Sequence, residues 1–369
     1  MREPVELRRQ RILAAVQARG SARVRDLAAE LEVSVVTVRR DVEELTREGK
    51  LRRGHGVVRS ATLAPRQEPP AGDAAEGDAV AVVVPERHSY LYEALHGARS
   101  VLEEAGLRIA LHIAPQVAGA ERPLVERALA DGARGLLLAP RWRSRALEEA
   151  DYGWLAALDV PAVLMERRPR PGSALHAMDS VCSDHVHGAR LAVEHLVGLG
   201  HRRLVFATRD DSPTARTLRS AFRAIAEEHP LVEEWAWLLS APEAGQDGPY
   251  TEQETAELSA VLREVGATGA VLHGDVDALM LVQQLADSGV RVPEDCSVVA
   301  YDDVVASLGA TPLTAVTPPK AEVGRVAAEL LLRRLGRTGA AAAGAVQRVE
   351  LLPSLTVRDS TRALEPASN

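Results

Sequence analysis

Much of what this 369-residue chain lacks bears on what it can be. It has two cysteines, Cys182 and Cys296, too few and too far apart for a disulfide framework or a metal knuckle, and each reads as a small buried hydrophobe among apolar neighbours. Lys50 and Lys320 are the only lysines, so nearly every cation is an arginine, and aromatics make up 3%. No apolar run approaches the ~18 residues of a membrane span and Met1 to Gln10 has no signal-peptide core, so no membrane partner and a cytoplasmic location are expected. The chain has no Gly-x-Gly-x-x-Gly after a strand, no Gly-x-x-x-x-Gly-Lys-Ser/Thr and no Gly-x-Ser-x-Gly, hence no expected cofactor and no catalytic residue. His185 and His187, two apart, fall on different helical faces, so no metal is expected either.

What is present is a globular chain of two or three domains, 46% hydrophobic, whose net charge of −8 conceals an asymmetry. Residues 1–60 carry 14 Lys/Arg against 9 Asp/Glu; the rest carries 30 against 43. A basic head on an acidic body points to an anionic partner for the head alone.

Within the head, apolar residues at helical spacing over Leu7–Ala18 and Val24–Leu31 predict two helices, and a short turn then delivers Ser34. Ser34 is a suitable N-cap. Beyond it, Val35, Val38, Val42 and Leu45 share an inward face, while Val36, Thr37, Arg39 and Arg40 lie opposite or flank that opposite side. Two helices and a tight turn make a helix-turn-helix. Gly54 and Gly56 then allow a turn between two short basic strands, a wing. Val36 suits a thymine methyl, and Thr37 and Arg40 suit base edges, an arginine fork matching guanine best. Arg39, Arg52, Arg53 and His55 suit phosphates. With Ser34 these form the candidate DNA-binding set, although Arg39 has an alternative partner in Asp41 or Glu43. Residues 61–78, rich in Pro, Ala, Gly and acid, read as a flexible linker.

From Ala79 onward short apolar runs alternate with helical stretches. Strands are expected over 79–85, 107–114, 135–140, 161–166, 204–208, 237–240, 269–273 and 297–301. Helices are expected over 90–105, 121–131, 144–158, 185–199, 214–228, 252–265 and 276–288. The alternation predicts an α/β body with parallel sheets covered on both faces, and this many units predicts two sheets, hence two lobes and a cleft. Ligands of open α/β sheets sit beyond the carboxyl ends of strands, which here carry Glu86, Tyr90, Arg141, Trp142, Glu166, Arg209 to Asp211, Asp275 and Asp302. Carboxylates, guanidinium groups and an aromatic around a cleft suit a small polyol. Gly336 to Ala345 is a low-complexity loop.

The head resembles the DeoR-type winged helix-turn-helix. The resemblance rests on Arg11-Ile12-Leu13, Asp26-Leu27-Ala28, Thr37-Val38-Arg39-Arg40-Asp41 and Leu51-Arg52-Arg53-Gly54-His55-Gly56, with Val57 where that family usually has a second wing glycine. The body resembles the LacI/GalR ligand-sensing domain, itself similar to periplasmic binding proteins, through Ala79 to Pro85, Gly188-Ala189-Arg190-Leu191-Ala192, His195-Leu196 to Leu199-Gly200-His201-Arg202-Arg203, Tyr301-Asp302-Asp303 and Pro312 to Val316. These resemblances imply a bacterial transcriptional regulator, with domains at 1–60 and 79–360 and a tail at 361–369. They also imply crossovers near residues 182, 317 and 342, giving lobe 1 as 79–182 plus 317–342 and lobe 2 as 183–316 plus 343–360.

Further implications are a homodimer, a double-stranded DNA operator with an inverted repeat, and a small-molecule effector held by Tyr90, Arg141, Trp142, Glu166, Arg216, Asp275 and Asp302. Tyr90 and Leu91 match a cleft-facing pair. Two departures stand out: Leu218 occupies the place of the family's effector-gripping arginine, which leaves Arg216 or Arg219 to substitute, and Gly274 replaces an asparagine. A LacI-type hinge helix is absent from the linker. Two rival readings remain at this point, a constitutive regulator whose body only dimerises and a sugar-modifying enzyme using Glu166 and Asp302 as an acid/base pair.

Overall fold

A computed structural model describes residues 8, 9, 12, 16, 21–23, 27, 28, 33–47, 51–54, 57–60, 79–86, 89–240, 257–336 and 344–364. His55, the linker 61–78, residues 337–343 of the low-complexity loop and the end of the tail lie outside them, as do the side chains of Val36, Arg52 and Arg53. The chain divides into two compact units, Met1–Ala74 and Ala75–Asn369.

In the first unit, a helix α1 (Val35–Arg47) follows Ser34, and strands β2 (Leu51–Gly54) and β3 (Val57–Ser60) form the antiparallel wing. Gly54 pairs with Val57 in that ladder. A strand that the sequence reading missed, β1 (Ser21–Arg23), pairs with β3. Ile12, Val16, Leu27, Ala28, Val38, Val42, Leu45 and Leu51 make one small buried core. Both expected helices of the pair thus contribute to it, at Ile12 and Val16 and at Leu27 and Ala28.

In the second unit the chain builds two six-stranded sheets, mostly parallel, as the α/β reading requires. The first contains β4 (Ala79–Pro85), β5 (Arg108–Ala114), β6 (Ala133–Leu138), β7 (Ala162–Met165), β8 (Asp179–Ser183) and β14 (Arg348–Leu351), in the order β14-β8-β7-β6-β4-β5. Its helices are α2 (Ser89–Glu104), α3 (Glu121–Ala130), α4 (Arg145–Ala156) and, from far along the chain, α9 (Lys320–Leu335). The second sheet contains β9 (Arg203–Thr208), β10 (Glu234–Leu239), β11 (Gly269–His273), β12 (Ser297–Tyr301), β13 (Thr314–Thr317) and β15 (Ser354–Thr356), in the order β10-β9-β11-β12-β13-β15. With it go α5 (His185–Gly198), α6 (Pro213–Glu228), α7 (Leu258–Val265) and α8 (Asp275–Asp287). Among the described residues no helix is long and apolar enough to cross a membrane.

One boundary needs correction. Arg348–Leu351 runs parallel to β8 in the first sheet, so the chain returns to the second sheet only between Leu351 and Ser354 and not near residue 342. The physical reason is the open edge of β8, which β14 covers before the chain leaves. Strands β8, β13, β14 and β15 were not read from the sequence, because short strands among polar residues carry little periodicity; helix α9 was missed as well, despite apolar residues at helical spacing.

Two glycines fix how α9 closes the first lobe. A Cβ on Gly97 would lie 1.8 Å from the carbonyl oxygen of Ala321, and one on Gly324 would lie 1.7 Å from that of Ala94. Helices α2 and α9 therefore touch backbone to backbone, seating Val323, Ala327 and Leu331 against Val80, Val82 and Ala98. Gly324→Ala is expected to destabilise the body by ~3 kcal/mol or more, since packed backbone cannot give way as a side chain can. Thermal unfolding of the variant beside the parent checks this.

Candidate DNA-reading helix and effector cleft

The residue order of α1 separates its two jobs. Ser34 caps the helix, its Oγ accepting from the Thr37 amide at 3.1 Å and lying 2.8 Å from Thr37 Oγ1. Asp41, 2% exposed, turns inward and accepts from Arg8 at 2.6 Å and Arg9 at 3.4 Å, tying the first helical segment to α1. Arg39 and Arg40 are exposed and form no ion pair with Asp41 or Glu43, while Val38 and Val42 are buried. The helix thus presents two guanidinium groups with no carboxylate paired to them among the described residues.

Among the described residues of the body, four non-glycine residues adopt positive φ: Trp142 (40°), Glu166 (52°), Asp302 (98°) and Asp303 (51°). All follow the carboxyl ends of strands β6, β7 and β12, where backbone strain tends to mark function. Three of them were singled out from sequence, yet their surroundings differ.

Glu166 is buried and saturated. Tyr90 donates to it, Ser183 Oγ donates at 2.9 Å and Ser183 N at 3.3 Å, and His185 Nε2 lies 3.3 Å away. Burial alone would push its carboxyl up, but His185 and the hydroxyls outweigh that and hold it below the usual range. Burial and the neighbouring Glu166 push the Tyr90 phenol up. His185 Nδ1 in turn meets Tyr301 OH at 3.1 Å, for which Gly188 leaves room, since a Cβ there would sit 2.3 Å from that oxygen. Burial lowers neighbouring His273, bonded to Thr208 at 2.9 Å, to about 4.

Several other sequence candidates hold the scaffold. The Trp142 indole packs in the first lobe's core and donates to Asp151 at 2.9 Å. Asp275 accepts from the amides of Val304, Val305 and Ala306, fixing the turn after Asp302, and burial pushes its carboxyl up. Leu91 packs into the first core and Leu218 into the second, 1% exposed. Arg216, on α6, reaches across to the first lobe: it donates to the carbonyls of Trp142 (2.8 Å) and Arg143 (2.9 Å) and to Glu148 (3.3 Å). Arg141 makes a second tie between the lobes, to Asp211 at 3.4 Å. Arg219 instead pairs with Asp210 and lies over Trp237. Gly274 opens α8 at φ 81°, a conformation an asparagine side chain adopts less easily than glycine.

Asp302 is the exception. Half-buried and with only its backbone amide bonded, to Val316 at 3.1 Å, it keeps a carboxylate that no described residue occupies. Burial and the charge of Asp275 raise its pKa from 3.8 to about 7. Residues that sequence reading did not place at the site include Ser183, Tyr301, Lys320 and Asp277, the bidentate partner of Arg209 at 2.6 and 2.7 Å, and His185, which it weighed only as a metal ligand. Their signal lay in polar residues abutting strand ends.

Comparison with known proteins agrees with this geometry. Residues 8–63 match the DeoR-like helix-turn-helix domain and residues 193–361 the periplasmic binding protein-like domain. An arabinose metabolism transcriptional repressor of Geobacillus stearothermophilus is 27% identical over 344 residues, 92% of this chain and 90% of that one. The transcriptional repressor PurR of Haemophilus influenzae is 30% identical over 210 residues, 56% of this chain and 58% of that one. A LacI family regulator from Enterococcus faecium, solved with bound ribose, shares the fold of the body at 21% identity and a TM-score of 0.60, covering 78% of this chain and all of that one.

A helix-turn-helix on a bilobed sensing body defines a DNA-binding transcriptional regulator modulated by a small molecule, not an enzyme. More particularly, this regulator joins a DeoR-like helix-turn-helix head to a periplasmic binding protein-like body.

The raised Asp302 gives a pH signature. Because the folded state holds this proton more tightly than the unfolded chain, stability falls as pH rises from about 4 to about 7. Asp302→Asn should therefore be more stable than the parent at pH 8 by ~2 kcal/mol, taking ~1.4 kcal/mol per pKa unit and discounting for partial exposure. The gap should close below pH 4. Equal denaturation midpoints at pH 8 would count against a strained carboxylate.

Proposed function

We propose that the chain is a repressor that binds an inverted-repeat operator as a homodimer and responds to a sugar or related polyol in the cleft. Asp302 carries this reading: a strained carboxylate at a strand end, uncommitted where its neighbours are all engaged, is ready to accept from effector hydroxyls. Glu166 and Tyr90 are close enough to Asp302 for charge to act between them, while Arg141 and Arg216 tie the lobes and Trp142 and Asp275 hold the walls. The arabinose repressor's name and the ribose seen in a neighbour of the same fold favour a sugar.

In the head, Thr37 and Arg40 read bases, Arg39 holds phosphate, and Arg52, Arg53 and His55 of the wing add phosphate contacts. Dimerisation is supported by apolar side chains left in water on both lobes, Tyr92, Ile113 and Val117 on one and Val276 and Met280, a turn apart on α8, on the other. Effector binding would alter the lobe angle and so the spacing of the two heads.

A second reading, in which the body only dimerises, draws on the ties Arg216–Glu148 and Arg141–Asp211, which join the lobes with protein groups alone. The same experiment separates the two. On an operator found by selection, the parent should give a symmetric footprint whose affinity falls steeply with salt, and Arg40→Ala should abolish it. A pentose or hexose at millimolar concentration should shift that affinity; no shift from any sugar favours the constitutive reading. A footprint unchanged by Arg40→Ala would remove α1 as the reading helix.

A further inference from the structure

Almost every charged side chain near the cleft is spoken for, which makes a second exception informative. Lys320, the only lysine of the body, opens α9 directly after the Pro318-Pro319 crossover from the second lobe. It is 3% exposed, yet its ammonium makes no hydrogen bond among the described residues. Its nearest carboxylate oxygen, on half-exposed Glu93, is 3.9 Å away, beyond hydrogen-bond reach, and the Tyr90 ring centroid is 5.7 Å away. The ammonium is not among the fully enclosed polar atoms that lack a partner, so it keeps a little exposure, and its donors are available to an oxygen that the protein does not supply. Asp302, whose carboxyl feels the charge of Lys320, presents the complementary need for donors.

We propose that Lys320 is a second anchor of the effector site, donating to hydroxyl oxygens whose protons Asp302 accepts, so that the effector is a neutral polyol with adjacent hydroxyls. This rests on the sensing reading above. A diol satisfies both groups at once, since each hydroxyl both donates and accepts. The two protein charges offset each other, so neither a sugar acid, which would face Asp302, Asp275 and Glu166, nor an amine, which would face Lys320, is matched as well. The tie spans the lobes as well, Lys320 standing on the first and Asp302 on the second, so the ligand that joins them also holds the lobe angle.

Calorimetry on the full chain tests this with arabinose, ribose, xylose and glucose, their aldonates, and 2-deoxyribose as an analogue lacking one hydroxyl. At least one neutral sugar should bind the parent, Lys320→Met should weaken it by at least about tenfold, and Lys320→Arg should recover part of the loss. The preference for the sugar over its deoxy analogue should shrink in Lys320→Met, a change that a purely structural role beside Tyr90 would not produce. Equal affinity in parent and Lys320→Met overturns the anchor and leaves sensing intact. Binding of aldonates alone overturns the neutral class. Silence of the parent towards every ligand overturns sensing and the anchor together. Should Lys320→Met fail to fold, the sugar preference of Lys320→Arg against the parent decides, and no change in it overturns the anchor.

Discussion

A carboxylate taken out of water must be answered by donors, and the body is arranged around one such demand at Glu166. Its answers come from three places, Tyr90 at the start of α2, Ser183 at the end of β8 and His185 at the start of α5. Ser183 and His185 lie where the chain first passes from one sheet to the other, so the same bonds that satisfy the charge hold the crossover. Through His185 the network continues to Tyr301, the residue before Asp302. The open carboxylate is thereby placed by the closed one. Acid/base work for Glu166 is hard to reconcile with that commitment.

Packing supplies the second constraint. Gly97 and Gly324 allow α2 and α9 to meet at backbone distance, which brings the beginning of α9 beside Tyr90. A late segment of the chain is thus built into the first lobe, and the segment that returns from it, β14, seals that lobe's sheet before β15 joins the other. Each lobe depends on residues far apart in sequence. In the head the equivalent device is smaller: Asp41, inside the Thr-Val-Arg-Arg-Asp stretch, is consumed by Arg8 and Arg9, and this leaves Arg39 and Arg40 without a carboxylate to compete for them.

The alternation of apolar runs and helical stretches made the α/β body readable up to Tyr301, and the period of α1 gave its buried and exposed sides. What stayed hidden had weak local signal. Strands β8 and β13 to β15 are three to five residues long, and α9 was overlooked although Val323, Ala327, Leu330 and Leu331 recur at helical spacing. Site residues were partly legible, since strand ends are where function gathers, but chemistry at a strand end does not reveal whether a side chain faces the cleft. Trp142 and Leu91 turned into cores, Asp275 capped a turn, and Arg216 spanned the lobes. The rarity of lysine reads as compositional bias along the chain; only burial with no hydrogen bond to the ammonium among the described residues distinguishes Lys320.

By itself the sequence determined the two-part organisation, the basic head and its reading helix, and the α/β class of the body, because charge balance and hydrophobic period are local properties that survive without coordinates. Tertiary structure alone decided which charges are spent and which remain. A carboxylate is spent by groups far along the chain, as Glu166 is by Tyr90, 76 residues before it, and no spacing in the chain records that meeting. Asp302 and Lys320 are distinguished by what fails to reach them, which is a property of the folded surroundings and not of their neighbours in sequence.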